Sequence, residues 1–310
     1  MTSPTTTADA TGRAAPPSRL PLAAVGVTLV LWASAFVAIR HLADDFSPGA
    51  LSLGRVGIGA VALGVVAVGR PMPRPSRRDW LSLAVIGVLW FGIYHVALNE
   101  GEQRVDAGTA SMLLQVSPVL IALLAAVFLH ERFTTHLALG LALAFSGVAL
   151  IGFSASPEGD RDVLGVVLCM VSAVAYAISL VLQKPLLRRI SALHVTWIAC
   201  TIGAVVCLPF AGQLVFEVRQ APASSVLWVV YLGIFPTAVA FTTYAYALSH
   251  MSAANLGVTT YLVPPITIVL GLLLLDETPP SIAYVGGALA LAGVAVARRT
   301  SRAPAARPPA

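Results

Sequence analysis

The sequence predicts an all-α polytopic membrane protein with ten transmembrane helices, arranged as two inverted five-helix repeats. Three observations favour this fold. The 310 residues are 57% hydrophobic and only 11% charged, whereas a soluble chain carries about 25% charged residues. The apolar residues fall into runs of roughly 20, the length that a bilayer-spanning helix needs. The second half of the chain also repeats the first half at a nearly constant offset.

Apolar runs follow one another with short connections, so neighbouring helices are expected to be antiparallel. The runs show no alternation of period two, which excludes a transmembrane β-barrel. The first run is longer than the core of a signal peptide, which has about 7–15 residues. Residues 1–19 lack periodicity and are predicted to form a disordered cytoplasmic tail, as are residues 299–310. The ten predicted spans are 20–39, 50–69, 80–98, 107–129, 133–153, 163–183, 192–214, 223–248, 253–275 and 281–297.

Basic residues orient the predicted spans. With a cytoplasmic N-terminus, 14 of the 19 lysine and arginine residues fall on the inner side and four on the outer side. This asymmetry favours a multi-pass protein of the cell inner (plasma) membrane with both termini in the cytoplasm. The net charge of +5 is thus a topology signal and not a nucleic-acid-binding patch. We therefore expect the lipid bilayer as a partner, and no nucleic acid.

An internal duplication relates the two halves of the chain. Residues 87–149 match a second copy 146 positions later without a gap, and earlier positions match at an offset of 144. The repeats span 20–153 and 163–298. Each contains five predicted helices, an odd number that turns the second copy upside down in the membrane. Inverted repeats are typical of secondary transporters, which open a cavity to alternate sides. The matched pairs include Gly87/Gly233, Pro118/Pro264, Glu131/Glu277, Gly147/Gly293 and Arg40/Lys184.

Several residues also resemble a known family. They are Trp32-Ala33-Ser34 followed by Phe36 in the first span, Pro48 and Arg55 at the second, and Pro118/Glu131 and Pro264/Glu277, each pair thirteen residues apart. With the predicted topology, residues 20–298 resemble the EamA domain of the drug/metabolite transporter superfamily. The resemblance implies export or exchange of small metabolites, such as amino acids, amines, nucleosides or drug-like compounds, by alternating access. The stretch Asn99-Glu100-Gly101-Glu102 departs from the blander sequence expected there.

The candidate substrate site combines a polar helix face with aromatic side chains. Ser111, Gln115 and Pro118 lie at i, i+4 and i+7, so they share one face of the fourth span. An unpaired amide is unfavourable in hydrocarbon, so we expect this face to line a cavity. Aromatic residues of membrane helices are often packing or interface residues, but as a set they fit an apolar pocket with a few polar groups. The set consists of Trp32, Phe36, Trp90, Tyr94, His95, Tyr176, Tyr244 and Tyr261.

Three prolines, Pro118, Pro264 and Pro265, lie near the centres of their spans. A proline removes one helical hydrogen bond and clashes with the carbonyl four residues earlier. The carbonyls freed in this way belong to Leu114, Thr260 and Tyr261. They must be satisfied by protein, water or ligand. Two interpretations remain open, namely hinges beside the substrate and tolerated kinks in a packed bundle.

Charged residues in the spans are few. Arg55 lies in the second span, and two interpretations remain open. Its side chain could extend to the membrane surface, or it could be buried, where it would attract a substrate carboxylate or pair with another group inside the bundle. No Asp or Glu occupies the middle of a span, so proton coupling would fall to His95 or Glu100. Glu131 and Glu277 precede the fifth and tenth spans, where an acid stabilises a helix N-terminus. A gate is the alternative role for both glutamates.

The sequence contains no pattern typical of an enzyme or a cofactor-binding protein. Its single lysine, Lys184, follows no glycine-rich loop, so the chain has no P-loop for ATP. The spacing of His130, Glu131 and His136 does not place two imidazoles on one helix face, which argues against zinc. We therefore expect no catalytic residue, metal or cofactor. An intramembrane enzyme and a lipid-handling protein are the alternatives. Small residues at i, i+4 fit close packing within the bundle or across a homodimer.

Overall fold

The computed structural model describes residues 19–104, 113–155, 162–274 and 281–298. All regular secondary structure in these residues is helical. We label the helices in chain order as α1 (Leu20–Leu42), α2 (Pro48–Ala67), α3 (Arg77–Arg104), α4 (Ser117–Phe128), α5 (Thr135–Ala155), α6 (Val163–Leu186), α7 (Ala192–Val206 and, after a bend, Leu208–Gln220), α8 (Ala223–His250), α9 (Ala253–Thr259, Thr260–Leu262 and Val263–Leu274) and α10 (Ser281–Arg298).

Six of these helices contain stretches long and apolar enough to cross a membrane, namely α1, α2, α3, α6, α8 and α9. A seventh span results when the two parts of α7, which meet at a bend of 53°, are counted together. Helices α4, α5 and α10 contain the shorter apolar stretches Ser117–Phe128, Thr135–Ile151 and Tyr284–Ala297. The described part of the chain thus contains six or seven candidate spans, and each predicted apolar run overlaps one of the helices.

Short polar side chains begin several helices. Ser76 and Asp79 form a capping box at α3, in which each side chain accepts a hydrogen bond from the other residue's backbone amide. Ser191 and Ser252 accept backbone amides in the first turns of α7 and α9. Asp162 does the same for α6. These caps satisfy amides that a helix start leaves without an intrahelical partner, so they fix where each helix begins.

Helices α3 and α8 each contain one π-helical stretch, Gly87–Ile93 in α3 and Gly233–Val239 in α8. The two stretches are 146 residues apart, the offset of the sequence duplication. A Cβ atom on Gly87 would lie 2.6 Å from Cβ of Ile202 in α7, and one on Gly233 would lie 2.6 Å from Cβ of Ile58 in α2. The paired glycines therefore allow α3 to contact α7 and α8 to contact α2 closely.

The same helix contacts occur twice in the bundle. Helix α1 packs against α8 and α9, and α6 packs against α3 and α4 in the corresponding arrangement. The hydroxyl of Thr28 in α1 donates a hydrogen bond to the carbonyl of Ala240 in α8 at 3.2 Å. The hydroxyl of Ser172 in α6 donates to the carbonyl of Tyr94 in α3, also at 3.2 Å. These four residues are matched by the offsets of 144 and 146 in the sequence.

Small residues bring α5 and α10 together along their length. A Cβ atom on Gly147 would lie 2.5 Å from the backbone nitrogen of Ala290 and 2.5 Å from the carbonyl oxygen of Gly286. A Cβ atom on Gly293 would lie 2.6 Å from Cβ of Ala144. Because backbone atoms cannot move aside as a side chain can, these positions require glycine. The predicted small-residue motifs of these two helices are thus used within one chain.

The backbone is locally irregular just before Pro118 and Pro264. Gln115 and Val116 form a turn before α4, and α9 changes to a 3₁₀ turn at Thr260–Leu262. Pro118 and Pro264 therefore lie in the first turn of an α-helical segment. A proline is tolerated there because its missing N–H would have no intrahelical partner.

Candidate functional site

Aromatic side chains from α1, α3, α6 and α8 meet in the interior of the bundle. Trp32 lies 4.7 Å from Tyr244 between ring centroids. Trp90 stacks on Tyr176 at 5.1 Å and lies edge-on to Phe241 at 5.1 Å. We call this group the aromatic cluster, and its members are Trp32, Trp90, Phe91, Tyr94, His95, Tyr176, Phe241 and Tyr244.

Most of the aromatic residues singled out in the sequence belong to this cluster, but Phe91 and Phe241 are additions that the structure makes. Phe91 lies in the π-helical stretch of α3, and its ring is 4.8 Å from that of Phe241 in α8. The sequence argument assumes 3.6 residues per turn, whereas a π turn takes one more residue and changes which side chains share a face. The paired glycines Gly87 and Gly233 are the one sequence signal near this irregularity.

A pair of tyrosines forms the polar centre of the aromatic cluster. The hydroxyls of Tyr176 and Tyr244 are 2.6 Å apart, and both side chains are buried. One hydroxyl donates and the other accepts, and the Tyr176 hydroxyl also hydrogen-bonds the side chain of Thr260 in α9. The pair joins α6 to α8, which come from the second half of the chain, against Trp32 and Trp90 from the first half.

Two ring nitrogens of the aromatic cluster lack a hydrogen-bond partner among the described residues. His95 Nδ1 lies 2.9 Å from the carbonyl oxygen of Trp90. A carbonyl only accepts, so Nδ1 must donate and Nε2 of the neutral ring is an acceptor. His95 is 1% exposed, and its Nε2 is unpartnered, as is Nε1 of Trp32. Buried polar atoms without partners are rare in proteins, so these two atoms are candidates for contact with a ligand.

Arg55 is buried beside the aromatic cluster. It is 5% exposed, and its Nε donates a hydrogen bond to the hydroxyl of Thr237 in α8 at 3.3 Å. Tyr94 and Glu102 of α3 interact with it electrostatically. The sequence leaves open whether Arg55 extends to the membrane surface, and its burial excludes that alternative.

The other predicted binding residues are not members of the aromatic cluster. Gln115 donates its amide to the carbonyl of Thr260 in α9 at 3.2 Å. Tyr261 is fully buried in a smaller apolar core formed by α4, α5, α9 and α10. Phe36 is partly buried against the main core, and Ser111 lies outside the described residues. Gln115 therefore serves a contact between the two halves in this structure.

Two of the three carbonyls released near the prolines accept hydrogen bonds from polar side chains. The hydroxyl of Ser117 donates to the carbonyl of Leu114 at 2.7 Å, and Gln115 donates to that of Thr260. Pro265 faces Gly287 of α10, where an added Cβ would lie 3.7 Å from the proline ring. The irregular backbone at Leu114 and at Thr260 is thus stabilised by a specific polar side chain.

Lys184 and Glu131 hold the turn between α8 and α9, and we call this contact the α8–α9 clamp. The ammonium of Lys184 donates to the carbonyls of Leu248 and Met251 at the end of α8. The carboxylate of Glu131 accepts the first amides of α9, from Ala253 at 2.8 Å and from the next residue at 3.1 Å. A cation at a helix C-terminus and an anion at an N-terminus are both favoured by the helix dipole.

The clamp corrects one expectation for Glu131. The sequence places this residue at the start of the next helix, α5, but its carboxylate binds the N-terminus of α9 in the other half of the chain. Helix α5 begins later, at Thr135. The matched residue Glu277 lies outside the described residues. The sequence does not identify the role of Lys184, although its match to Arg40 marks it as part of the duplication.

Glu100 lies at the surface. Its carboxylate forms an ion pair with Arg104 at 2.6 Å, and Arg104 also contacts Asp162 at 3.2 Å. The hydrogen bond from the amide of Leu164, followed by that from Arg104, holds the pKa of Asp162 below its usual range. Glu100 is thus part of a surface ion-pair network between α3 and α6, whereas Glu102 on the same helix interacts with Arg55.

Six or seven candidate membrane spans within the described residues, with an aromatic cluster between α1, α3, α6 and α8, are typical of a multi-pass membrane protein. A sequence profile of the EamA-like transporter family matches residues 21–153 and again residues 163–299. The chain therefore belongs to the EamA-like transporter family.

Individual proteins are similar over most of the chain. A probable terminal-alkyne amino-acid exporter of Streptantibioticus cattleyicolor is 40% identical over 276 residues, which cover 89% of this chain and 92% of the relative. The uncharacterized transporter YdfC of Bacillus subtilis is 31% identical over 266 residues, 85% of this chain and 86% of the relative. A crystal structure with 21% sequence identity has the same fold, with a TM-score of 0.72 over 90% of this chain and 96% of that chain.

These similarities confirm the predicted family and the class of function. The protein is a small-molecule secondary transporter embedded in a membrane by multiple helices, and it is not an enzyme. Within the residues that the structure describes, no group of three or more His, Cys, Asp and Glu side chains could hold a metal ion.

Proposed function

We propose that this protein exports small α-amino acids across the cell membrane by alternating access. The observation that carries the proposal is the aromatic cluster, in which apolar rings from both halves of the chain surround polar atoms of Trp32 and His95 that have no hydrogen-bond partner among the described residues. An apolar surface with a few polar groups suits a small amphiphilic molecule. The similarity to a probable terminal-alkyne amino-acid exporter supports the same substrate class.

The proposed architecture has ten spans in two inverted repeats, 20–153 and 163–298, with both termini in the cytoplasm. The helix contacts that occur twice support this arrangement, as do the two matches to the family profile. An inverted pair of similar units can exchange conformations, and this exchange moves the opening of a central cavity from one side to the other.

The α8–α9 clamp is the proposed gate at the cytoplasmic end. In the predicted orientation, Glu131, Lys184 and the turn between α8 and α9 all lie on the cytoplasmic side. Lys184 ties α6 to the end of α8, and Glu131, which follows α4, binds the start of α9. Pro118 and Pro264 interrupt α4 and α9 and are the proposed hinges, with Pro265 beside them. Opening the gate requires the carboxylate and the ammonium to release the backbone groups that they hold.

Transport by the full-length protein in proteoliposomes tests the proposed function. Vesicles loaded with one unlabelled amino acid at a time, from the twenty standard L-amino acids and L-propargylglycine, should take up the labelled form by saturable counterflow without ATP. Trp90→Ala should strongly reduce the flux because it removes the ring that stacks on Tyr176. Trp228→Ala is the matched control, since Trp228 lies outside the aromatic cluster and is 39% exposed. Absence of saturable flux for every amino acid would exclude the proposed substrate class.

A further inference from the structure

A polar face on α3 lies next to the aromatic cluster. His95, Asn99 and Glu102 are at i, i+4 and i+7, so they share one side of the helix. Asn99 Nδ2 donates a hydrogen bond to the hydroxyl of Ser52 in α2 at 3.0 Å, so this side of α3 faces α2. Arg55 is three residues after Ser52 on α2 and interacts electrostatically with His95 and Glu102. The face and the guanidinium therefore belong to one buried polar region.

This polar region contains hydrogen-bond acceptors that the described protein does not use. Asn99 Nδ2 also lies 3.4 Å from the carbonyl oxygen of Pro48, which can only accept. The side-chain nitrogen of Asn99 therefore faces Pro48 and Ser52, and Oδ1 is the acceptor. Asn99 is 3% exposed, and its Oδ1 has no partner within the described residues. His95 Nε2, one helical turn away, is a second buried acceptor that bonds to nothing in the described part of the chain.

The second half of the chain shows that the fold does not require these polar residues. The positions matched to Arg55, His95, Asn99 and Glu102 by the sequence offsets are Ala199, Phe241, Ala245 and Leu248. The backbone contacts at these positions are also matched. A Cβ atom on Gly233 would lie 3.0 Å from the carbonyl of Arg55, and one on Gly87 would lie 2.8 Å from that of Ala199. The same packing is thus formed with apolar side chains.

We propose that this polar region recognises the zwitterionic end of an α-amino acid, with the carboxylate bound by Arg55 and the ammonium by Asn99 Oδ1 and His95 Nε2. Glu102 provides the negative charge that balances the bound ammonium. The side chain of the substrate then points into the aromatic cluster. This assignment rests on the proposed function and makes Arg55 and Asn99 residues that determine substrate specificity. A guanidinium can bind a carboxylate through two parallel hydrogen bonds, and an ammonium group donates three hydrogen bonds and accepts none.

Three related probes separate the two charged groups of the substrate. L-Propargylglycine carries both groups, pent-4-ynoic acid lacks the ammonium, and but-3-yn-1-amine lacks the carboxylate. Uptake of each probe is measured by mass spectrometry in proteoliposomes that contain the full-length protein. We expect the wild-type protein to take up the amino acid at least about 10-fold faster than either single-charge probe, because a hydrogen bond to a charged group contributes about 1.5–3 kcal/mol.

Two substitutions copy the matched residues of the second half. Arg55→Ala should lower the apparent affinity for propargylglycine by about 10- to 100-fold and leave but-3-yn-1-amine unaffected. Asn99→Ala should lower the affinity for the amino acid and leave pent-4-ynoic acid unaffected. Arg55→Gln, which keeps a donor for Thr237, should show the same loss as Arg55→Ala. Arg104→Ala is the control, because it removes an arginine from the exposed ion-pair network on the same helix as Asn99.

The outcomes separate this inference from the proposed function. If propargylglycine is transported and the ratios among the three probes are unchanged in folded Arg55→Gln and Asn99→Ala, the assigned recognition residues are wrong while the transporter function stands. If wild-type vesicles move no amino acid at all, the substrate class and this inference both fail. Elution as one symmetrical peak in detergent shows that each variant is folded.

Discussion

Replacement of Glu131 by glutamine tests whether the α8–α9 clamp controls access to the cavity. The carboxylate accepts hydrogen bonds from the amides of Ala253 and Ala254 at 2.8 and 3.1 Å. The amide of glutamine has the same shape but offers one carbonyl oxygen and carries no charge. Glu131→Gln therefore removes one of the two hydrogen bonds and the interaction of a negative charge with the N-terminus of α9.

The loss of one hydrogen bond and of one charge interaction determines how far the clamped state is destabilised. A hydrogen bond to a charged group contributes about 1.5–3 kcal/mol, and a charge at a helix N-terminus contributes about 0.3–1 kcal/mol. Ser252 still caps α9 in the variant, so the loss lies near the lower end, about 2 kcal/mol. Since each 1.4 kcal/mol changes an equilibrium tenfold, the equilibrium between the clamped state and a state open at this end should shift about 30-fold towards opening.

Cysteine labelling measures this shift. Leu256 in the first turn of α9 is fully buried, so Leu256→Cys, in a background without Cys169, Cys200 and Cys207, should react slowly with a membrane-impermeant maleimide. Inside-out vesicles expose the cytoplasmic end to the reagent, and Glu131→Gln should raise the labelling rate by roughly 30-fold.

Glu217→Gln is the matched control for this experiment. Glu217 accepts the backbone amide of Ser47 at 3.0 Å, just before the start of α2 at the opposite end of the bundle. Its replacement removes a comparable contact between a carboxylate and a backbone amide, but it should not accelerate labelling of the cysteine in α9. An unchanged labelling rate in Glu131→Gln, or equal acceleration in both variants, would refute the role of the clamp.

Three further predictions concern stability and coupling within the bundle. Gly147→Ala should reduce the yield of folded protein and lower its melting temperature, because its Cβ would meet backbone atoms of α10 at 2.5 Å, whereas Gly26→Ala, with nothing within 4 Å, should be neutral. Tyr176→Phe and Tyr244→Phe should each weaken substrate binding, and the double variant should lose less than the sum because one hydrogen bond joins the two hydroxyls. The lowered pKa of Asp162 contributes stability above about pH 4 that is lost as the pH falls through its folded-state pKa; melting curves of Asp162→Asn should lack this contribution.

Sequence reasoning predicts the helices because they depend on patterns that a membrane imposes on any chain. It predicts the family because specific residues, such as the pairs Pro118/Glu131 and Pro264/Glu277, resemble it. Long apolar runs, the asymmetry of basic residues and the duplicated glycines can be read without coordinates. The glycines Gly147 and Gly293 are informative because a close contact between two helix backbones allows no other residue. The contact between α5 and α10 can therefore be predicted from the two glycines in the sequence.

The polar contacts could not be predicted in the same way. Glu131 is followed by a helix in the sequence, and nothing local indicates that its carboxylate binds α9, 122 residues away. The π-helical turn of α3 moves His95 into hydrogen-bond distance of the carbonyl of Trp90, a geometry that an assumed α-helix does not give. Gln115 was expected to face a cavity, but its partner is the carbonyl of Thr260 across the two halves.

Matched and unmatched residues of the two halves have different roles in the proposed mechanism. Thr28 and Ser172 form equivalent contacts, so exchanging the conformations of the repeats replaces each contact by a similar one and keeps the two end states close in energy. Arg55 and Asn99 are matched by alanines, so their contacts with Thr237 and Ser52 have no counterpart that replaces them in this exchange. Substitutions at these two positions should therefore change substrate recognition and also the balance between the two end states. Substitutions of Arg55 and Asn99 should change the selectivity for propargylglycine, whereas substitution of Glu131 should change the rate of gate opening.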